Sequence, residues 1–277
     1  MSSSILLSIA AFLFGLGLLS YAGLFTFVLA SHLRFVAYHK RAGLDLVAPK
    51  SWMTLWLRET HANATVALWA LFAPSLPDER GQSVVLCVHG FIGHKSNWRA
   101  LRRRLKSKNV ATQSVALGFP PKDLKDYVGP LRQRLLALRA EGTETIDVVC
   151  HSMGGLVLRQ LLSEEPSWED HLRVIITVGT PHLGTASVPT AFARREIGAM
   201  RYENEGLGSL MLPAKSKPKW YTIGSACDYV VFPFRTTTLP EVESVYFKDI
   251  GHIGLLMEKP VLQAIVKRLE RKTSPID

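Results

Sequence analysis

The sequence predicts an α/β protein, with a mainly parallel sheet and helices on both of its faces, preceded by an N-terminal transmembrane helix. From residue 84 onward, short apolar runs typical of buried strands alternate with helical patterns. Of the 277 residues, 47% are hydrophobic and 20% are charged, which excludes a disordered chain and supplies a sizeable core. The first 33 residues contain no Asp, Glu, Lys or Arg, so a charged domain follows an apolar segment.

The apolar segment covers residues 5–30. A helix of this length extends about 39 Å, enough to cross a hydrocarbon core of about 30 Å. A cleaved signal peptide is the alternative, but the first four residues carry no Lys or Arg, and the apolar run is longer than that of a signal peptide. We therefore expect an uncleaved anchor over residues 1–33. Arg34, Lys40 and Arg41 follow it, so the positive-inside rule favours the cytoplasm over the periplasm for the rest of the chain.

The remaining chain divides into a helical linker region, 34–79, and one domain, 80–277. Its predicted strands cover 84–88, 111–117, 146–150, 174–178, 220–224 and 242–247. Its predicted helices cover 96–108 (with Ser96 as the cap), 122–140, 154–163 and 261–271. Residues 185–219 interrupt the alternation, and their mixed content of Phe, Met, Leu and Arg indicates a helical lid insertion. Ligands of such sheets bind at the carboxyl ends of the strands, so functional residues are expected there.

The strongest motif is Cys-His-Ser-Met-Gly-Gly at 150–155, between a predicted strand and a predicted helix. A serine on a tight strand-to-helix turn is typical of a nucleophile elbow, in which small neighbours permit a strained backbone. The common form is G-x-S-x-G. Here Cys150 replaces the first glycine, and its small size is compatible with the turn. Ser152 is therefore the candidate nucleophile, and an ordinary helix N-cap is the alternative.

The second motif, Val-His-Gly-Phe at 88–91, follows the first strand of the domain. Acyl transfer requires two backbone N–H groups directed at the oxyanion. In this architecture one comes from the residue after the nucleophile, Met153, and the other from this loop, where Phe91 is the candidate. Gly90 allows the loop to approach a substrate closely. We interpret His89 as a structural residue of the loop.

A serine nucleophile needs a histidine to take its proton and a carboxylate to orient that histidine. The chain order in this architecture is serine, acid, histidine. His252 is the only one of the nine histidines that follows the last predicted strand. Asp228 follows the strand at 220–224 and is the favoured acid. Asp249 and Glu258 are competitors, but Asp249 is too close to His252 in sequence to lie at a separate strand end.

Residues 80–272 resemble the α/β-hydrolase superfamily, in particular its bacterial lipases and esterases. The segment Gly-Thr-Pro-His-Leu-Gly-Thr at 179–185 resembles the G-T-P-H-x-G-T motif of bacterial lipases and of the inositol deacylases that act on GPI anchors. Asp228, in a D-x-V-V stretch, and His252, in a late G-H pair, match the acid and histidine positions of these lipases. The resemblance implies the α/β-hydrolase fold and serine esterase chemistry.

Two features bear on cofactors. Calcium-dependent lipases of this branch carry an aspartate two residues after the catalytic histidine, where this chain has Gly254. We therefore predict no structural calcium, and no other metal or cofactor. The three cysteines are an odd number without C-x-x-C spacing, which indicates neither a metal site nor a disulfide framework.

The net charge of +10 includes a basic run at 99–108. Because no aromatic residues are interleaved with it, we interpret it as a solvated helix face attracted to anionic lipid, without a nucleic-acid partner. The sequence thus predicts a membrane-anchored serine hydrolase of carboxylic esters, with lipid acyl esters as substrates. An acyltransferase or thioesterase with the same residues, and a catalytically silent membrane-binding module, are the alternatives. No oligomeric state is predicted.

Overall fold

The central element is a six-stranded sheet in which every pair of neighbours is parallel, in the order β2-β1-β3-β4-β5-β6. A computed structural model describes residues 3–73, 76–118, 123–188, 200–202, 205–213 and 218–270. The strands are β1 (Ser83–Val88), β2 (Ala111–Val115), β3 (Thr145–His151), β4 (Leu172–Val178), β5 (Lys219–Ser225) and β6 (Glu243–Phe247). The predicted parallel sheet is confirmed.

Helices cover both faces of this sheet. The helices are α1 (Ser3–Arg41), α2 (Trp52–Phe72), α3 (Arg99–Lys106), α4 (Val128–Ala140), α5 (Met153–Glu164) and α6 (Lys259–Leu269), of which α3 to α6 lie on the sheet faces. Helices α4 and α5 form one core layer with alternate residues of β1, including Leu86, whereas α3 and α6 form the other with residues such as Cys87. Because both faces are buried, the central strands β1, β3 and β4 read as nearly continuous apolar runs rather than as alternating ones. Helices on both faces were predicted, and this is confirmed.

Two predicted helix starts are wrong. The helix expected over 122–140 begins as an α-helix only at Val128, after a 3-10 turn, Leu124–Tyr127. The helix expected over 96–108 with Ser96 as its cap begins as an α-helix only at Arg99, and a 3-10 turn, Lys95–Trp98, precedes it. The cap of that turn is His94, whose Nδ1 accepts the N–H of Ser96 at 3.2 Å. Trp98 is buried and its ring contacts that of His151, so tertiary packing determines where the regular helix begins.

Helix α1 contains a segment, Gly17–Arg41, that is long and apolar enough to cross a membrane by length and composition. Towards its C-terminal end the same helix packs on the domain, because Val28 and Phe35 are buried in a cluster with Tyr229 and Phe232. Helix α2 packs against α1 and against the domain, so the helices that precede β1 contribute to the side of the molecule on which β5 ends.

The insertion predicted over 185–219 lies partly outside the described residues. Within the described part, a four-residue helix, Glu205–Gly208, and an isolated bridge between Thr185 and Arg201 are present. The buried guanidinium of Arg159 on α5 donates to the carbonyl oxygens of Leu210 and Met211, at 2.9 and 3.0 Å, and thereby ties this segment to the sheet domain. A lid over the site stays a prediction.

Candidate active site

The residues singled out in the sequence lie at one edge of the sheet. Phe91 follows β1, Ser152 follows β3, Asp228 follows β5 and His252 follows β6. Because all six strands are parallel, their carboxyl ends meet at this edge, and four separate loops converge there. The topology therefore brings together residues that are up to 161 positions apart in the chain.

Ser152 lies on a strained turn between β3 and α5. Its φ is 53° and its ψ is −129°, a conformation that residues other than glycine rarely adopt. The turn is held because the Ser152 N–H donates to the carbonyl oxygen of Val178, at 2.9 Å, at the end of the neighbouring strand. Ser152 occupies the N-cap position of α5, but its side chain makes no capping hydrogen bond. The hydroxyl group is thus not engaged in the ordinary role of a helix cap.

Glycines allow the loop after β1 to lie directly on this turn. A Cβ atom at Gly90 would lie 2.7 Å from the Cβ of Ser152, and one at Gly154 would lie 2.6 Å from the carbonyl oxygen of His89. Neither distance is compatible with a side chain, so both positions require glycine for a close approach rather than for backbone freedom. The contact brings the loop that carries Phe91 against the turn that carries Ser152 and Met153. Phe91 and Met153 are the two predicted oxyanion residues.

Asp228 and His252 form a buried hydrogen-bonded pair. The distance between His252 Nδ1 and Asp228 Oδ2 is 2.7 Å, and neither residue is more than 4% exposed. The other carboxylate oxygen, Oδ1, accepts the N–H groups of Val230 and Val231 at 2.8 and 2.7 Å. Because a carboxylate can only accept, Nδ1 must carry the proton, which leaves His252 Nε2 as the basic atom of the neutral ring.

The surroundings of the pair raise the pKa of His252, which helps the ring to take up a proton. Burial lowers the pKa of His252, but the charge and hydrogen bond of Asp228, together with the charge of Glu59, outweigh burial, and the net pKa is raised above the ordinary value. Gly179, the first residue of the 179–185 motif, has a φ of 57°, and a Cβ there would lie 3.3 Å from the His252 ring. The motif thus supplies a residue without a side chain where the imidazole packs.

The two competing carboxylates make other contacts. Asp249 Oδ1 accepts the N–H of Lys50 at 2.5 Å, and Glu258 forms an ion pair with Arg58 across the surface. Of the three candidates, only Asp228 is hydrogen-bonded to His252.

The remaining histidines of these loops have structural contacts. His89 Nδ1 lies 2.9 Å from the Gly90 carbonyl oxygen, and its Nε2 accepts the N–H of Leu117 at 3.1 Å, so it braces the loop after β1. His182 is fully buried, with Nε2 2.9 Å from Thr177 Oγ1, and burial lowers its pKa well below the ordinary value. His151 packs its ring 4.6 Å from that of His252.

Sequence reasoning missed one residue of this region, Glu59 on α2. Its carboxylate accepts backbone N–H groups of the loop that carries His252. A signal was present, because Glu59 is the only acidic residue of α2 and lies at helical spacing from Leu55 and Ala62, which are both buried. An acid at a core position of an apolar helix indicates a buried partner.

Metal ligands are not clustered in the part of the chain that the structure describes, where no group of three or more His, Cys, Asp or Glu side chains could hold an ion. At Gly254 the N–H donates to Glu59 Oε1 at 2.8 Å. Independence from calcium stays a prediction.

The comparisons with known proteins agree with this architecture. Residues 58–192 match a family model described as Domain of unknown function (DUF7379), a range that begins in α2 and includes the turn at Ser152. No curated protein matches the chain by sequence.

Three solved structures illustrate the likeness in fold. Aspergillus fumigatus lipase B is 15% identical, with a TM-score of 0.59 over 69% of this chain, which spans only 54% of that lipase. The mature Bacillus licheniformis lipase BlEst2 is 15% identical, with a TM-score of 0.57 over 72% of this chain and 95% of the lipase. A 2-hydroxy-6-oxo-6-phenylhexa-2,4-dienoate hydrolase from Rhodococcus sp. strain RHA1 is 17% identical, with a TM-score of 0.50 over 68% and 90%.

These likenesses define the class of fold. The chain has the α/β-hydrolase fold, as the motifs of the sequence predicted. At this level of identity the comparison concerns the fold, and the chemistry must be argued from the site itself.

Proposed function

We propose that this protein is a membrane-anchored serine hydrolase that cleaves carboxylic esters, with lipid acyl esters as its substrates. One observation carries the proposal. The strained turn presents Ser152 at the sheet edge where Asp228 and His252 form a buried hydrogen bond of 2.7 Å. Acyl transfer to serine requires three parts: a strained turn that carries the nucleophile, a histidine whose basic nitrogen is not bonded to the acid, and a carboxylate that orients this histidine.

The proposed reaction begins when Ser152 Oγ attacks the ester carbonyl carbon and His252 Nε2 takes the hydroxyl proton. Asp228 holds Nδ1–H and stabilises the imidazolium, while the N–H groups of Phe91 and Met153 donate to the oxyanion. His252 then gives the proton to the departing alcohol, and the acyl group stays on Ser152. Water, deprotonated by His252, attacks this ester and releases the acid, which restores the serine.

Exposed apolar groups on two of the loops that follow the sheet strands support a lipid substrate. Ile92, on the loop after β1, is 68% exposed, and Leu183, on the loop after β4, is 47% exposed. Exposed aliphatic side chains on the loops around a nucleophile favour an acyl chain over a small polar alcohol or acid.

The proposed anchor is α1. Its Gly17–Arg41 segment has the length and composition of a membrane span. Removal of α1 would expose the cluster in which Val28 and Phe35 pack on Tyr229 and Phe232, and this favours an uncleaved anchor over a signal peptide.

We place the catalytic domain on the cytoplasmic side, since Arg34, Lys40 and Arg41 follow the apolar segment and Met1 to Ser4 carry no basic side chain. Alkaline phosphatase, which is active only after export, should be inactive when fused after Asp277. High phosphatase activity in intact cells would reverse this orientation.

Covalent labelling tests the proposed chemistry. The full-length protein in detergent should react with a fluorophosphonate, and peptide mapping should find the modification on Ser152. Ser152→Ala should abolish labelling, whereas Ser107→Ala, a matched change at an exposed serine, should leave it unchanged.

An unlabelled wild-type protein, under conditions where a control lipase reacts, would favour the silent membrane-binding module. Labelling accompanied by recovery of the acyl group mainly on an added alcohol, such as glycerol, would favour an acyltransferase instead.

A further inference from the structure

We infer that Glu59 of α2 is a positioning residue of the active site, which holds the loop of the catalytic histidine through its backbone and acts on His252 through its charge. This inference rests on the proposed function. It assigns a role in catalysis to a helix that precedes the sheet domain in the chain.

The contacts of the carboxylate are directed at one short loop. Glu59 Oε1 accepts the N–H groups of Gly251 and Gly254 at 3.0 and 2.8 Å, and Oε2 accepts that of Ile253 at 3.1 Å. These donors lie on both sides of His252 in the sequence. Glu59 is 1% exposed, so water does not compete for these bonds, and hydrogen bonds to a buried charged group are among the strongest in proteins.

The loop is shaped to receive this carboxylate. A Cβ atom at Gly251 would lie 2.3 Å from the Cδ of Glu59, and one at Gly254 would lie 2.4 Å from its Oε1. Side chains at either position would therefore displace the carboxylate. Neither glycine has a positive φ, so their absent side chains serve the close contact with Glu59 rather than an unusual backbone conformation.

The charge of Glu59 faces the catalytic pair. The titratable groups packed around it are Asp228 and Tyr229 after β5 and His252 after β6, while the Arg58–Glu258 ion pair lies at the adjacent surface. Burial raises the pKa of Glu59 to about 7, against the opposing effect of the N–H donors. Its negative charge, like that of Asp228, raises the pKa of His252.

Helix α2 also connects this contact to neighbouring elements. Asn63 lies one turn after Glu59 on α2. Its Nδ2 donates to the Glu59 carbonyl oxygen and to Tyr229 Oη, at 2.8 and 3.1 Å. Tyr229 in turn packs its ring 4.5 Å from that of His32 on α1. The proposed membrane helix and the His252 loop thus share one packed contact region centred on α2.

The test compares three full-length variants in detergent with the wild type: E59Q, E59D and the control R58Q. Glutamine keeps the shape and two of the three acceptor contacts but loses the charge and places an N–H₂ group opposite the Ile253 N–H. Aspartate keeps the charge but is one methylene shorter. R58Q removes the exposed neighbouring ion pair, which contributes little. Thermal melting verifies that each variant is folded.

The first measurement is hydrogen exchange of the backbone amides of residues 250–256. Both Glu59 variants should exchange faster, by about tenfold, because donors to a buried acceptor are released, and R58Q should exchange like the wild type. Unchanged exchange in both Glu59 variants would overturn the inference, whether or not the protein is an esterase.

The second measurement is the pH dependence of p-nitrophenyl butyrate hydrolysis. In E59Q we expect kcat to fall by about tenfold with little change in KM. His252 acts as a base only when neutral, so loss of the Glu59 charge should lower its pKa and move the acid limb of kcat/KM to lower pH. Because the pKa of Glu59 is itself about 7, the two groups titrate together, and the shift should be smaller than a permanently charged carboxylate would give. E59D should leave the limb near its wild-type position.

If E59Q loses activity by the same factor at every pH, so that the acid limb does not move, Glu59 only supports the fold. That result would overturn the inference. A folded wild type that neither hydrolyses the ester nor reacts at Ser152 would overturn the proposed function. In that case the exchange measurement alone decides whether Glu59 holds the loop.

Discussion

Ser152→Ala should lower kcat/KM for p-nitrophenyl butyrate by about 10⁴-fold or more, because the attacking oxygen is removed and water must react without it. His252→Ala should have a similar effect, since the serine hydroxyl then has no base. The double variant should lose little beyond either single one, because the two side chains act as one unit. Steady-state kinetics of the purified full-length proteins provide the measurement.

Ser107→Ala is the matched control. It removes an exposed hydroxyl at the C-terminal end of α3, and the variant should retain wild-type activity. Multiplicative losses in the double variant would contradict a shared mechanism. Residual activity of Ser152→Ala close to that of the wild type would show that another residue is the nucleophile.

Asp228→Asn is expected to have the second largest effect, a loss of about 10³- to 10⁴-fold in kcat. With the amide oxygen retained on the N–H groups of Val230 and Val231, the amide nitrogen faces His252 Nδ1. Since that nitrogen donates, it favours the tautomer with the proton on Nε2, and the histidine can no longer take the proton of Ser152.

The pH profile should change as well. Because the Asp228 carboxylate raises the pKa of His252, its removal should move the acid limb of the residual activity to lower pH.

Asp249→Asn provides the control for this prediction. Asp249 lies three residues from His252, but its carboxylate accepts the Lys50 N–H, and its φ of 62° is one that asparagine tolerates. We expect its activity to stay within about twofold of the wild type. Equal losses in the two variants would contradict the assignment of Asp228 as the sole acid, and a larger loss in Asp249→Asn would assign the acid to Asp249.

The sequence determined the architecture and the order of the site residues. All six predicted strands lie within two residues of their observed bounds. The central strands β1, β3 and β4 are short, largely apolar runs buried on both faces and bounded by loops, which is the pattern that the sequence reading detects. Parallel strands then imply that Ser152, Asp228 and His252, each just after a strand, meet at one edge. This step uses only local patterns and the rule that parallel strands end on the same side.

Local signals were insufficient where a tertiary contact outweighs them. Ser96 has the residue type and position of a helix cap, yet the cap belongs to His94 of the preceding turn, and the regular helix begins at Arg99. The burial of Trp98 against His151 fixes this segment, and no pattern within ten residues of Ser96 encodes that contact.

The tertiary structure alone showed what surrounds the histidine. Glu59 is separated from its three hydrogen-bond donors by 192 to 195 residues, in a region that the sequence indicated to be a linker between anchor and domain. The sequence likewise named Asp228 over Asp249, because Asp249 is too close to His252 in the chain to lie at a separate strand end, whereas the structure provides the 2.7 Å contact with His252. Periodicity and motifs record which residues are buried and which strand they follow. The pairing of buried polar groups depends on distances between distant segments, which only the packed chain defines.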